Sequence, residues 1–201
     1  MRSLLLLPAA CGAVLLLSLP AETRSGSAVV PEVTPAAGSY AIDSGHSGAL
    51  FRVEHLGVAG FWGRFNSVSG SFELSEDAGK CAVEVSIDAA SVDTNSEGRD
   101  KHVKGPDFFN VKEYPRITFR STGVRVEGDV YHVTGGLTLI GETRELTIPM
   151  TKIGEASTRM GDKCGFEGEF TFDRKDFGMG ALEGALGTEI RCILFIEANK
   201  E

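Results

Sequence analysis

Apolar and polar residues alternate along most of the chain, and this alternation predicts β-strands. Phe51 and Val53, for example, alternate with Arg52 and Glu54. An apolar residue at every second position fits a strand that buries one face. The last predicted strand, Ile190 to Ala198, is apolar on both faces for much of its length and is expected to be covered on both sides. Helical periodicity is almost absent.

The number and spacing of these segments predict an all-β fold. Turn residues such as Glu76 to Gly79 join neighbouring segments into antiparallel hairpins. About eight antiparallel strands follow, which is enough to close a barrel whose interior holds side chains or one elongated ligand. We therefore predict an extended eight-stranded antiparallel β-barrel with short helices in a long loop.

Two connections are too long to be hairpin turns. The first runs from Ala89 to Tyr114 and is predicted to hold two short helices, one near Ser96 to Val103 and one opened by Asp107 as an N-cap. The second runs from Asp173 to Thr188 and is rich in glycine. If the strands simply alternate in direction, both connections lie at the same end of the barrel and together form a lid.

The N-terminus has the pattern of a secretory signal peptide. Met1-Arg2 is followed by an apolar run from Leu4 to Leu19 that contains Pro8, which is shorter than a membrane-spanning helix needs. We predict a signal peptide over residues 1–28, a flexible leader over 29–38 and one domain over 39–201. The expected location is therefore periplasmic or secreted.

Charge and cysteine content narrow the possible functions. The net charge of −8 gives no support to nucleic-acid binding, which needs a basic face. Removal of the signal peptide would leave Cys81, Cys164 and Cys192, with no Cys-x-x-Cys spacing for zinc. These cysteines form either one disulfide of undetermined pairing or three buried thiols.

Eight short motifs, in order along the domain, resemble those of the YceI-like family. They are Tyr40-x-Ile42-Asp43-x-x-His46, Phe51-x-Val53-x-His55-Leu56-Gly57, Gly63-x-Phe65, Arg99-Asp100-x-His102, Asp107-Phe108-Phe109, Tyr114-Pro115-x-Ile117-Thr118-Phe119-x-Ser121-Thr122, Gly136-Leu137-Thr138-x-x-Gly141-x-Thr143 and Arg174-x-Asp176-Phe177-Gly178-Met179. Ser44 and Val103 depart from the family's usual proline and leucine. The resemblance implies a lipocalin-like barrel of the bacterial periplasm that holds a long isoprenoid or similar amphiphilic lipid.

The candidate ligand-binding residues fall into three groups. The inward-facing phenylalanines are Phe51, Phe72, Phe119, Phe170 and Phe172, and the lid or entrance aromatics are Phe108, Phe109 and Phe177. Arg99 and His102 stand beside the predicted barrel mouth, where Arg99 is available to a charged head group. Without the resemblance, the inward phenylalanines fit a filled core equally well.

A metal-dependent or acid–base hydrolase is the main alternative from another class. It would recruit His46, His55, His102 and His132 together with aspartates such as Asp43. The histidines are nine or more residues apart and match no metal-ligand motif, so no catalytic residue, metal or cofactor is expected. A stress-related interaction protein with a filled barrel is a further alternative. A monomer and a homodimer are both compatible with an edge-free barrel.

Overall fold

The structure of this protein is a computed structural model that describes residues 37–201. The predicted signal peptide and nearly all of the predicted leader lie outside the described residues. The first strand begins at Gly38, one residue before the expected start of the domain.

The described chain contains eleven strands, one α-helix and three short 3-10 helices. The strands are β1 Gly38–Ile42, β2 Gly48–His55, β3 Ala59–Phe65, β4 Val68–Leu74, β5 Ala82–Asp88, β6 Val92–Asp93, β7 Arg116–Glu127, β8 Val130–Leu139, β9 Glu142–Thr158, β10 Gly161–Asp173 and β11 Leu186–Lys200. The helix α1 covers Glu97–Val103, and the 3-10 helices cover Ala78–Lys80, Ala89–Ser91 and Arg174–Phe177.

Eight strands close into an antiparallel barrel, as predicted. The ring runs β1, β4, β5, β7, β8, β9, β10 and β11, and it closes because β1 pairs with both β4 and β11. Every strand of the ring therefore has a hydrogen-bonded neighbour on each side, although the ladder between β9 and β10 ends at Met150 and Gly168.

The first six strands form three pairs, and the two strands of each pair are separated by an interruption at the same level of the barrel. β1 and β2 follow the same partner strand, since Tyr40 is opposite Lys200 and Leu50 is opposite Ile193 on β11. Residues 43–47 form the interruption between them. β3 and β4, and then β5 and β6, are divided in the same way. Thus β2, β3 and β6 extend the barrel beyond the level of the interruptions.

These interruptions divide the barrel into two halves. We call the part walled by β1, β4 and β5 the lower half, and the part walled by β2, β3 and β6 the upper half. The remaining strands, β7 to β11, run along the barrel opposite these short strands. Both long connections, residues 94–115 and 174–185, lie at the upper end, which confirms the expectation that they share one end of the barrel.

The first long connection differs in part from the prediction. The helix expected near Ser96 to Val103 is present as α1. The prediction of a second helix opened by Asp107 was wrong, because that segment forms turns. The Asp107 carboxylate does not cap a helix and instead lies 3.1 Å from His102 Nε2. The connection is also shorter than expected, since β6 continues the strand direction of β5.

The last strand is covered only on its inner face. Its inward residues line the interior, but Phe195 on the outer face remains 37% exposed. The Phe195 ring packs over Gly48, where an added Cβ would lie 2.5 Å from the ring. The expectation that β11 is covered on both sides was therefore wrong, because no second layer of structure lies outside it in the described chain.

The three cysteines of the described chain are free thiols. Cys81 and Cys164 are buried, and Cys192 is partly buried. Of the two alternatives that the sequence left open, the structure shows buried thiols and no disulfide among the described residues.

Candidate binding site

Two cavities lie end to end inside the barrel, each of about 120 Å³. The lower cavity is lined by side chains from all eight strands of the ring, including Val83, Val85 and Ile148. The upper cavity is lined by β2 and β3 together with the two long connections. The interior of this barrel is therefore not filled by its own side chains.

The two cavities share part of their walls. The shared residues are Ile87, Ile117, Leu137, Phe170 and Leu194. Each comes from a different strand, so they form a ring around the middle of the lumen. An elongated molecule that filled both cavities would pass through this ring.

Nearly every atom that faces the cavities is apolar. Such a surface attracts hydrocarbon without directional contacts, and the gain is roughly 25 cal/mol for each Å² of apolar surface removed from water. A charged or strongly polar group would lose its hydration there without compensation. The lumen therefore suits an apolar chain whose polar end stays outside.

The upper cavity is roofed by the two long connections. Phe108 and Phe109 come from the first, and Met179 comes from the second. Phe109 packs edge-on against Phe65, with ring centres 5.3 Å apart, and Phe65 lies 5.6 Å from Phe51. These contacts join the roof to the barrel wall.

Arg174 holds the second connection in place. Its side chain is only 1% exposed, and the guanidinium donates hydrogen bonds to four backbone carbonyls. Nη1 donates to Met179 at 2.5 Å and Ala181 at 2.9 Å, Nε donates to Gly187 at 3.0 Å, and Nη2 donates to Leu186 at 3.3 Å. One buried cation thus satisfies two carbonyls of the second connection and two at the start of β11.

The lower end is closed by aromatic rings with polar groups beside them. Tyr40 stacks on Phe72 at 5.3 Å between ring centres, and Tyr131 lies edge-on to Phe166 at 5.3 Å. Lys152 Nζ lies 2.8 Å from Glu155 Oε1 in a mostly buried pair. Burial, followed by the nearby Cys164 and Glu155, raises the pKa of Tyr40 to about 12. These phenols stay neutral at physiological pH.

The structure places the five predicted inward phenylalanines on the cavity walls. Phe72 and Phe119 line the lower cavity, Phe51 and Phe172 line the upper cavity, and Phe170 lines both. Phe108 and Phe109 lie in the roof, as expected for lid residues. Contact between any of these residues and a ligand stays a prediction.

Phe177 does not lie on either cavity wall. It is 1% exposed and packs edge-on behind Phe172, with ring centres 5.3 Å apart. The 3-10 helix Arg174–Phe177, at the start of the second connection, turns the ring into the core, and the role of Phe177 as a lid or entrance residue stays a prediction. Phe177 supports a cavity residue from behind.

Arg99 and His102 also lie outside both cavity walls. Arg99 donates to the carbonyl of Thr94 at 2.6 Å, and its guanidinium lies 4.7 Å from the centre of the Phe61 ring. His102 packs edge-on against Phe108 at 5.2 Å and contacts Asp107. Arg99 holds the first connection against β3, His102 stabilises the connection internally, and a role of either residue with a ligand head group stays a prediction.

The histidines that a hydrolase would need do not converge in the structure. His46 Nδ1 lies 3.0 Å from Asp43 Oδ2 and 3.8 Å from Glu197 Oε1, a grouping that could hold a cation. Lys163 Nζ already lies 2.7 Å from Glu197 and 3.4 Å from Asp43, so its ammonium neutralises these carboxylates. His132 instead lies 3.2 Å from Glu127 at a hairpin.

Comparison with known proteins assigns the family. The family model described as YceI-like domain matches residues 40–198. The chain belongs to the YceI-like family. A relative named UPF0312 protein from Pseudomonas aeruginosa is 39% identical over 180 residues, covering 88% of this chain and 94% of the relative. Protein YceI from Escherichia coli O157:H7 is 37% identical, covering 82% of this chain and 88% of the relative.

Two solved structures share the fold. Burkholderia cenocepacia BcnA aligns with a TM-score of 0.72 at 24% identity, covering 79% of this chain and 99% of BcnA. A polyisoprenoid binding domain from Saccharophagus degradans aligns with a TM-score of 0.61 at 16% identity, covering 81% and 98%. Both likenesses establish the barrel architecture. Within residues 37–201, no helix has the length and apolarity needed to cross a membrane.

Several cavity residues were not predicted from the sequence. Phe61 and Phe65 line the upper cavity, and their alternation with Trp62 and Arg64 along β3 could have revealed them. The burial of Arg174 had no such sequence signal, because its acceptors are backbone carbonyls, which any residue type supplies.

Proposed function

We propose that this YceI-like barrel binds the hydrocarbon chain of a long isoprenoid-type amphiphile in its two cavities and stores or carries it without covalent chemistry. The observation that carries the proposal is the pair of apolar cavities, lower and upper, that lie end to end and share five wall residues. The solved neighbour described as a polyisoprenoid binding domain has the same fold and supports this ligand class.

Burial of the chain supplies enough free energy for binding. Each buried CH₂ group contributes about 0.8 kcal/mol, so one five-carbon isoprene unit contributes on the order of 4 kcal/mol. Loss of translational and rotational freedom on association costs roughly 4 to 15 kcal/mol. Several buried units are therefore needed, which favours long chains over short ones and leaves the head group free to vary.

The signal-peptide pattern at the N-terminus supports a periplasmic or secreted location. In an aqueous compartment outside the cytoplasm, a lipid of this kind needs a carrier because its free solubility is very low. We expect the ligand to be an isoprenoid. We do not expect nucleic acid as a partner. Either a monomer or a homodimer could perform this binding.

The decisive experiment is native mass spectrometry of the mature protein purified without detergent, followed by organic extraction. We expect a stoichiometric isoprenoid in the extract and uptake of added geranylgeraniol by the emptied protein. Leu194→Trp, which projects into the shared ring, should lose the lipid, whereas Ile193→Trp on the outer face of the same strand should keep it.

A protein mass alone, together with failure to take up geranylgeraniol, would refute the binding function. A stoichiometric bound metal and an activity that a chelator abolishes would favour the hydrolase instead.

A further inference from the structure

Two tight turns at the upper end expose aliphatic side chains to solvent. Leu56 is 59% exposed and Val58 is 85% exposed in the turn between β2 and β3, and Leu182 is 51% exposed in the second long connection. The backbone N–H of Leu56 donates to the carbonyl of Ala185 at 2.8 Å, which joins the two turns. We call Leu56, Val58 and Leu182 the apolar tip.

Both leucines of the apolar tip adopt a left-handed backbone conformation. The φ angle is 56° at Leu56 and 54° at Leu182. Glycine and asparagine adopt this conformation at much lower cost than leucine does. Since exposed leucine also adds little to the stability of the fold, the turns themselves do not explain why leucine stands at either position.

The apolar tip continues directly into the upper cavity. Leu186, which lines that cavity, donates its backbone N–H to Leu182 at 3.0 Å. Val53 and Phe61, which also line it, lie on the two strands that the Leu56–Val58 turn connects. The exposed aliphatic groups are thus at the end of the barrel where the lumen is closed by loops.

We propose that the apolar tip inserts into the interfacial layer of a lipid bilayer. The insertion brings the upper cavity to the membrane, and the passage of a hydrocarbon chain between the two rests on the function proposed above. A hydrocarbon cargo of this size resides in bilayers, so a binding protein must meet a membrane to load or release it.

A bilayer fits the apolar tip better than a protein partner does. A stable protein interface buries about 800 Å² on each partner, which three side chains on two turns do not provide. Insertion into a bilayer instead gains the free energy of burying each apolar side chain separately. The net charge of −8 gives no attraction to anionic lipid, and Glu183 beside Leu182 is paired with Lys175. Apolar burial therefore drives the contact.

The test uses the mature full chain and co-sedimentation with phosphatidylcholine vesicles. The variant Leu56→Asn/Leu182→Asn removes both leucines and places asparagine where the left-handed backbone favours it, so folding should be retained. Burial of one leucine corresponds to about a tenfold change in partitioning, so we expect the vesicle-bound fraction of this variant to fall by at least about tenfold. Added salt should leave wild-type binding unchanged.

The matched control is Met160→Gln at the opposite end of the barrel. Met160 is 82% exposed in the turn between β9 and β10, so this variant removes an even more exposed apolar group from the lower end. Its vesicle binding should equal that of the wild type. Equal loss in both variants would show that insertion is not localised and would overturn the proposal.

Other outcomes would also overturn the proposal. These are a wild-type protein that does not sediment with vesicles, binding that needs anionic phosphatidylglycerol, and a concentration-dependent dimer that the double variant abolishes. Uptake of geranylgeraniol in solution separates this proposal from the binding function. The double variant should retain uptake, whereas failure of uptake in the wild type would refute lipid binding but leave the vesicle result to decide the role of the tip.

Discussion

The lower and upper halves of the barrel enclose cavities of similar size by different means. Strands on all sides wall the lower cavity, and the stacked pair Tyr40 and Phe72 helps to close its end. The upper cavity depends on a roof of two irregular connections, and Arg174 holds one of them through backbone carbonyls. Hydrogen-bonded ladders open with the whole fold, whereas loops can open locally. We therefore expect ligand exchange at the upper end.

The largest expected effect comes from removing the cation that holds the roof. Arg174→Met leaves four backbone carbonyls without this donor, each at a cost of about 1–3 kcal/mol, so we expect the free energy of unfolding to fall by at least about 4 kcal/mol. Denaturant-induced unfolding measures this. The neighbouring Lys175→Met removes an exposed ion pair and should change stability by less than about 1 kcal/mol. Similar losses in both variants would contradict the special role of Arg174.

The next prediction tests whether the hydrocarbon chain of one ligand occupies both halves of the barrel. Leu194→Trp narrows the ring shared by the two cavities, and exclusion of one isoprene unit should weaken binding of a nine-unit chain such as solanesol by about a thousandfold. Binding of the three-unit chain farnesol should change much less, because one cavity holds a larger share of it. Fluorescence competition at equilibrium measures both. Equal weakening of the two ligands would mean that the halves do not act in series.

A prediction with a smaller expected effect compares the reactivity of the cysteine thiols in the two halves. Burial raises the pKa of Cys192, on the wall of the upper cavity, to about 12, and burial followed by nearby Glu155 raises the pKa of Cys164 to about 12. Both thiols should react slowly with iodoacetamide at pH 8. Opening of the roof should expose Cys192 first, and bound lipid should protect it. Peptide mass analysis over time would show the order, and faster modification of Cys164 would place the mobile end at the bottom.

The smallest effect concerns the interruption between β1 and β2, where the two halves meet. A hydrogen bond with His46, followed by one from the Gly45 N–H, lowers the pKa of Asp43 from 3.8 to about 2. Because folding stabilises the carboxylate, this contribution is complete above about pH 4 and is lost as the pH falls towards 2.

The unfolding midpoint measured between pH 5 and pH 2 tests this expectation. The wild type should lose slightly more stability over that interval than Asp43→Asn, which has no carboxylate to protonate at that position. Identical acid profiles would show that this carboxylate does not contribute to the junction between the halves.

The alternation of apolar residues determined much of this protein. Because side chains on a strand point to opposite faces in turn, the positions of Phe51, Phe119 and Phe170 already placed them inside the barrel. The same reasoning predicted the eight strands and put both long connections at one end. The helix α1 was also predicted, although the turn at Asp107 was mistaken for a second helix.

Only the tertiary structure decided how the interior is used. Alternation states which side chains face inward but not whether they meet, so the cavities of about 120 Å³ depend on the barrel's diameter and on the interruptions in its first strands. The burial of Arg174 depends on the second connection folding back over its own first residue, and Phe177 is turned away from the lumen by a short 3-10 helix. The cavities and the positions of these side chains depend on how the chain packs in three dimensions, which the alternation of apolar and polar residues does not specify.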